Sequence, residues 1–256
     1  MNILVILRQW PSAGKSLENS GMCDSDKNVL CEALNLRDEQ GGFVTVMALG
    51  DEHEQEIQIL KEALTYGTDR ALLVQISEDK TGVALAAACA AQALRKTGPY
   101  DVIFFGRQAI DGDSAHMAVM TAQAAGIPAA LYSKKFECAS GGGGWRAESE
   151  TEHGEIQLSG NFPIVVVSVR EDQNKRYPKI SDILKVYSGQ NMVEKVASPD
   201  ILPLTLPKPV QIHTYVPETA HHQIQMIEGT DEEEKAAGCL KILGMYSFLE
   251  GHVNEG

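Results

Sequence analysis

The chain has 256 residues, 22 Lys and Arg against 35 Asp and Glu, a formal net charge of −13 and 43% hydrophobic residues. This length builds one large domain or two small ones around a core that needs no staples. The acidic surplus, with no basic stripe, excludes a protein that wraps nucleic acid. No apolar run approaches the ~20 residues of a membrane span, and MNILVILRQW lacks the basic segment of a signal peptide. Five scattered cysteines (Cys23, Cys31, Cys89, Cys138, Cys239) form no C-x-x-C pair, so neither a disulfide framework nor a zinc site is expected, and a reducing cytoplasm is the expected location.

Strand and helix patterns alternate over the first 130 residues. Ile3–Leu7, Val44–Leu49, Ala71–Ile76 and Val102–Phe105 are short apolar runs with branched residues, the pattern of buried strands. Between them, Lys27–Arg37, Glu54–Tyr66 and Thr81–Lys96 carry apolar residues at helical spacing, and Gly67 stands where a helix C-cap belongs. Ser114–Ala125 reads as a fourth helix, closed by Gly126 and Pro128. This order predicts an α/β fold, a parallel sheet flanked by helices, with ligands beyond the carboxyl ends of the strands.

After Pro128 the pattern changes. Ala130–Glu137, Trp145–Thr151 and Glu155–Ser159 alternate as hairpin strands, with Gly141–Gly144 as a turn, and Pro163–Val169 reads as another buried strand. Prolines 199, 203, 207 and 209 make a stiff, extended connector. Beyond it, Gln211–Val216 and Gln223–Ile227 read as short strands. Glu228–Tyr246 reads as a last helix, with Thr230 and Glu233 as its capping box. The expected organisation is a domain over residues 1–195 and an extended C-terminal arm over 196–256.

The strongest local signal is Gly106-Arg107-Gln108-Ala109-Ile110-Asp111-Gly112-Asp113-Ser114-Ala115-His116. A buried strand runs into a short polar loop and then a helix start, where free N–H groups and the helix dipole favour an anion such as phosphate. The plainer reading makes Asp113 or Ser114 an N-cap. No G-x-G-x-x-G or P-loop pattern is present. His221-His222 with His213 reads as surface histidines, and the acidic run Asp231–Glu234 as the first turn of a helix. No catalytic constellation stands out.

GRQAIDGDSA resembles the nucleotide-loop motif of the electron transfer flavoprotein beta subunit family, G-K/R-Q-A-I-D-G/D-D-S/T-A-Q. Three further stretches agree in order: VLCEALNLRD from Val29, VTVMALGDEHEQEIQILKEALTYGTDR from Val44, and PIVVVSVREDQNKRYPKISDILKV from Pro163. The likeness covers about residues 1–190. It implies a Rossmann-like sheet of the adenine nucleotide alpha hydrolase-like type. It also implies a heterodimer with an alpha subunit that holds FAD, and electron exchange with an acyl-CoA dehydrogenase-type flavoprotein. This subunit would bind AMP or, as in electron-bifurcating members, a second FAD.

Carried over by position, the resemblance assigns nucleotide contacts to Leu7, Arg8 and Gln9, to Asp26 and Asn28, and to Ala48, Leu49 and Gly50. It adds Gly106, Gln108 and the run Asp111, Gly112, Asp113, Ser114, Ala115, His116 and Met117. Asp111–Ala115 is nearer the bifurcating pattern than the D-D-D-C-N-Q-T of AMP-binding members. Ile180, with Tyr177 and Ile183, matches the loop that docks the dehydrogenase; on the residues alone Ile180 reads as a core isoleucine. No metal site is implied. Cys23-Asp24 replaces the family's Asn-Pro and His116 its Gln, which marks a divergent member. A nucleotide-sensing α/β module without a redox role is the alternative, although no S-G-G-x-D/S motif is present.

Overall fold

The computed structural model describes residues 1–7, 21–50, 54–76, 83–107, 116–139, 143–169, 176–189, 192–197, 226–227 and 229–245. Two compact units emerge, Met1–Pro207 and Lys208–Gly256.

In the first unit the expected alternation appears as β1 (Asn2–Ile6), α1 (Asp24–Gln40), β2 (Phe43–Gly50), α2 (Glu54–Thr65), β3 (Arg70–Gln75), α3 (Val83–Thr97), β4 (Val102–Gly106) and α4 (His116–Ala125). The hairpin region follows as β5 (Ala129–Cys138), β6 (Trp145–Thr151) and β7 (Gly154–Gly160). Then come β8 (Ile164–Ser168), α5 (Ile180–Ser188) and β9 (Val193–Val196). Among the described residues the strands form one sheet in the order β7-β6-β5-β8-β4-β1-β2-β3-β9. It is parallel from β5 through β9, and antiparallel where β5 pairs β6 and β6 pairs β7.

The pleat sorts side chains between two cores. Ile3 and Val5 of β1, with Leu7 just beyond it, pack with Val29, Leu30, Ala33 and Leu34 of α1 and Ile59, Leu60 and Ala63 of α2. Leu4 and Ile6 face the other way, toward Ala90, Ala93 and Leu94 of α3 and Ala118 and Ala122 of α4. Because both faces are covered, β4 and β8 bury every residue. This is why such strands read as solid apolar runs.

Several boundaries differ from the expected ones. α1 starts at Asp24, three residues before the apolar period becomes visible. Its first turn is polar, which suits the positive end of the helix dipole but carries no hydrophobic signal. Cys23 is its N-cap: the sulfur accepts from Asp26 N–H at 3.4 Å, in place of an amide or hydroxyl oxygen. Gly41 ends the helix at φ 73°, a conformation that favours glycine. Gly67, at φ 93°, closes α2 as expected.

α5 and β9 have no counterpart among the expected elements. β9 is a four-residue edge strand with Glu194 and Lys195 at its centre, and its place is set by pairing with β3 more than 100 residues earlier. Arg70 grips Glu194 with two hydrogen bonds of 2.9 and 2.8 Å.

In the second unit, α6 (Glu232–Met245) lies inside the expected last helix. Its cap sits one residue later than expected. Asp231 Oδ1 accepts from Glu234 N–H at 2.8 Å, and the Glu234 carboxylate accepts from both N–H and hydroxyl of Thr230. An Asp caps at least as well as a Thr. The expected strands Gln211–Val216 and Gln223–Ile227 lie wholly or largely outside the described residues, as does the proline-rich connector.

Candidate functional site

Strand order reverses at β1. Its neighbours are β2, reached through α1 on one face, and β4, reached after α3 on the other. Open α/β sheets bind ligands at such a switch point, beyond the carboxyl ends of the strands. Register aligns those ends: Ile6 pairs with both Met47 and Phe105, and Leu7 N–H donates to Met47 C=O at 2.8 Å. Gly106 pairs in turn with Ser168 at the end of β8.

This edge gathers the described part of the sequence-assigned nucleotide site. Leu7, Ala48 and Gly106 are buried at the ends of β1, β2 and β4, and Leu49 and Gly50 are half-buried. Asp26 is fully buried in the first turn of α1, and Asn28 is half-buried two residues further on. At the start of α4, His116 is exposed and Met117 half-buried. Arg8, Gln9, Gln108, Asp111, Gly112, Asp113, Ser114 and Ala115 lie outside the described residues.

The structure adds carboxylates that the sequence reading missed. Glu56, in the first turn of α2, is 2% exposed beside Gly50. A side chain at Gly50 would meet the Glu56 Cγ and Oε1 at 2.5 Å, so only glycine lets strand end and carboxylate pack together. Glu32 of α1 is buried and accepts a 2.6 Å hydrogen bond from the Ser168 hydroxyl. Glu32 had a readable signal: it stands on the otherwise apolar face formed by Val29, Leu30, Ala33, Leu34 and Leu36.

Asp26, Glu32 and Glu56 place carboxyl groups on the α1 and α2 side of the edge. Carboxyl oxygens can accept hydrogen bonds from donors such as hydroxyls. A helix start such as that of α4 favours an anion in general. The segment entering α1 is also held in place: Met22 N–H donates to Glu62 Oε2 at 2.7 Å, and Lys27 lies 3.5 Å from the same carboxylate. A groove lined by Phe43, Arg70, Thr97 and Tyr100 lies at the opposite, amino ends of the strands and has no part in this site.

The second candidate feature is α5. Tyr177 is 80% exposed, Ile180 76% and Ile183 38%. That exposure overturns the core reading of Ile180: α5 rests on α2 through its other side, where Val186 is buried. Leu184 and Tyr187, also exposed, extend the apolar face. Ile180, Leu184 and Tyr187 recur at i, i+4 and i+7, one face of a helix.

The family described as electron transfer flavoprotein domain matches residues 16–200. The chain is 32% identical over 207 residues to the electron transfer flavoprotein subunit beta of Thermoanaerobacterium thermosaccharolyticum, covering 75% of this chain and 77% of that protein. It is 30% identical over 228 residues to the caffeyl-CoA reductase-Etf complex subunit CarD of Acetobacterium woodii, covering 85% and 84%. Protein FixA of Azorhizobium caulinodans is 30% identical over 167 residues, covering 63% and 59%.

Proposed function

We propose a function from the fact that this chain belongs to the electron transfer flavoprotein family, as a beta subunit: it forms a heterodimer with an alpha subunit and carries electrons to or from an acyl-CoA dehydrogenase-type flavoprotein. The observation that carries the reading is the aligned edge of β1, β2 and β4 at the switch point, with Asp26 buried beside it.

FAD supplies the one- and two-electron chemistry when bound. This chain's residues fit the ribose side of a nucleotide. Asp26 stands in the first turn of α1 at this side, and Gly50 leaves room for the Glu56 carboxylate at the end of β2. The phosphate end falls to Asp111–His116, through backbone N–H groups and the Ser114 hydroxyl, with Leu7–Gln9, Asn28, Ala48, Leu49, Gly106, Gln108 and Met117 around it. The ligand is a second FAD, or AMP. Residues 196–256 pack on the alpha subunit, and the exposed face of α5 docks the dehydrogenase, with Ile180 as its central knob. The heterodimer works in the cytoplasm; among the described residues no helix is long and apolar enough to cross a membrane.

The test is co-expression with an alpha subunit, followed by ligand analysis. The expected result is a yellow complex with two FAD, or with one FAD and one AMP. A stable, colourless chain that ignores the alpha subunit and binds ATP with magnesium overturns this reading in favour of a nucleotide sensor.

A further inference from the structure

We infer that Arg176 is a positioning residue that sets how α5 presents its apolar face, by tying the segment before α5 to the C-terminal half of α1. The inference rests on the docking role proposed above for α5.

α5 is nine residues long, and its only buried side chain is Val186, near its C-terminal end. Lys179 takes the N-cap position without a side-chain cap. One buried side chain near one end gives the other end of this short helix little packing of its own. Arg176, four residues before the helix, supplies the missing anchor. Its Nε donates to Asn35 Oδ1 at 2.7 Å, and its Nη2 donates to Asp38 Oδ2. Asn35 and Asp38 are three apart on α1 and so share a face. A planar guanidinium engaging two acceptors fixes direction as well as distance, which a lysine does not.

The acceptor side is itself braced. Arg37 holds the other Asp38 oxygen from Nε and Nη2 at 3.1 and 3.0 Å. Its Nη1 donates to Gly67 C=O at 2.7 Å and lies 3.3 Å from Asp69 Oδ2, which also accepts from Val44 N–H at 2.8 Å. The segment before α5 is therefore tied, through α1, to the α2–β3 turn and the start of β2. Tyr177 follows Arg176 directly, and the face of Ile180, Leu184 and Tyr187 begins one turn beyond it.

The test uses the heterodimer with its alpha subunit and a purified short-chain acyl-CoA dehydrogenase as probe, its concentration varied in steady-state assays. Arg176→Gln should raise KM for the dehydrogenase on the order of tenfold, with kcat at saturation and flavin content unchanged. Arg176→Lys should recover part of the loss. Amide exchange across residues 180–188 should quicken in Arg176→Gln and not elsewhere in the sheet. If Arg176→Gln fails to assemble, Asp38→Asn takes its place with the same expectations. An unchanged KM in Arg176→Gln, while Ile180→Ala raises it, overturns the positioning role and leaves docking by α5 intact. An unchanged KM in both variants, or no turnover by the wild type, overturns the docking reading and this inference with it.

Discussion

The Ser168 hydroxyl donates a 2.6 Å hydrogen bond to the Glu32 carboxylate, joining residues 136 apart in sequence. Ser168 ends β8 and is 2% exposed; Glu32 stands on α1 and is 7% exposed. The bond ties a helix to the carboxyl edge of the sheet, where the proposed nucleotide site lies. A buried carboxylate that loses a donor keeps its desolvation cost. Ser168→Ala should therefore cost about 1–3 kcal/mol, read from the midpoint of a urea titration with m unchanged. A smaller loss than with an exposed control such as Ser188→Ala would refute the assignment.

Gly50 has no room for a methyl group, because Glu56 occupies that space at 2.5 Å. Gly50→Ala should displace the Glu56 side chain or the end of β2, at a cost of about 1–3 kcal/mol. The purified complex should also lose nucleotide. Full nucleotide content in this variant would place the ligand away from β2.

Ser114→Glu puts a negative charge where the phosphate is proposed to sit. It should empty the nucleotide site of the complex while the heterodimer still forms. Nucleotide measured in the denatured complex at the wild-type ratio would remove the phosphate site from this loop.

Ile180 is 76% exposed, so Ile180→Ala should change stability by no more than about 0.5 kcal/mol. It should weaken electron exchange with the dehydrogenase and leave flavin content intact. Loss of thermal stability without loss of exchange would return Ile180 to a structural role.

Asp38 gives a pH dependence with a defined sign. The hydrogen bond from Arg176, with Arg37 beside it, holds its carboxyl below the ordinary carboxylate range against the opposing effect of burial. The folded value thus lies below the unfolded one, about 3.9. The stabilisation is complete above that value and is lost as pH falls through the depressed folded value. The stability gap between wild type and Asp38→Asn should therefore be largest near neutrality and close on acidification, in denaturant titrations run from about pH 6 to pH 3. A gap independent of pH would show that the Asp38 charge is not what Arg176 engages.

Much of this fold is legible along the chain, for a local reason. β1, β2, β3, β4 and β8 lie in the parallel part of a sheet covered on both faces, so each appears as a mostly apolar run. α2 and α3 show their period, and Gly67 and Gly126 mark helix ends at positive φ. α5 and β9 are illegible for the complementary reason. One is a short helix with a single buried residue, and the other a charged edge strand that exists only because β3 offers it a partner. At the site, Asp26 and Gly50 were reached through family resemblance. Glu56 was not, because one acid in the first turn of a helix is ordinary until a strand end is found against it.

By itself the sequence determined the α/β alternation, most strand positions and the family, because these reside in local runs and ordered motifs. Tertiary structure alone decided that β1 lies between β2 and β4, that three carboxylates are buried near one edge of the sheet, and that Ile180 faces outward. The physical reason is that strand order and burial are properties of pairs distant in sequence. Glu32 finds Ser168, and Asp38 finds Arg176, only after the sheet has brought α1 beside residues more than 130 positions away.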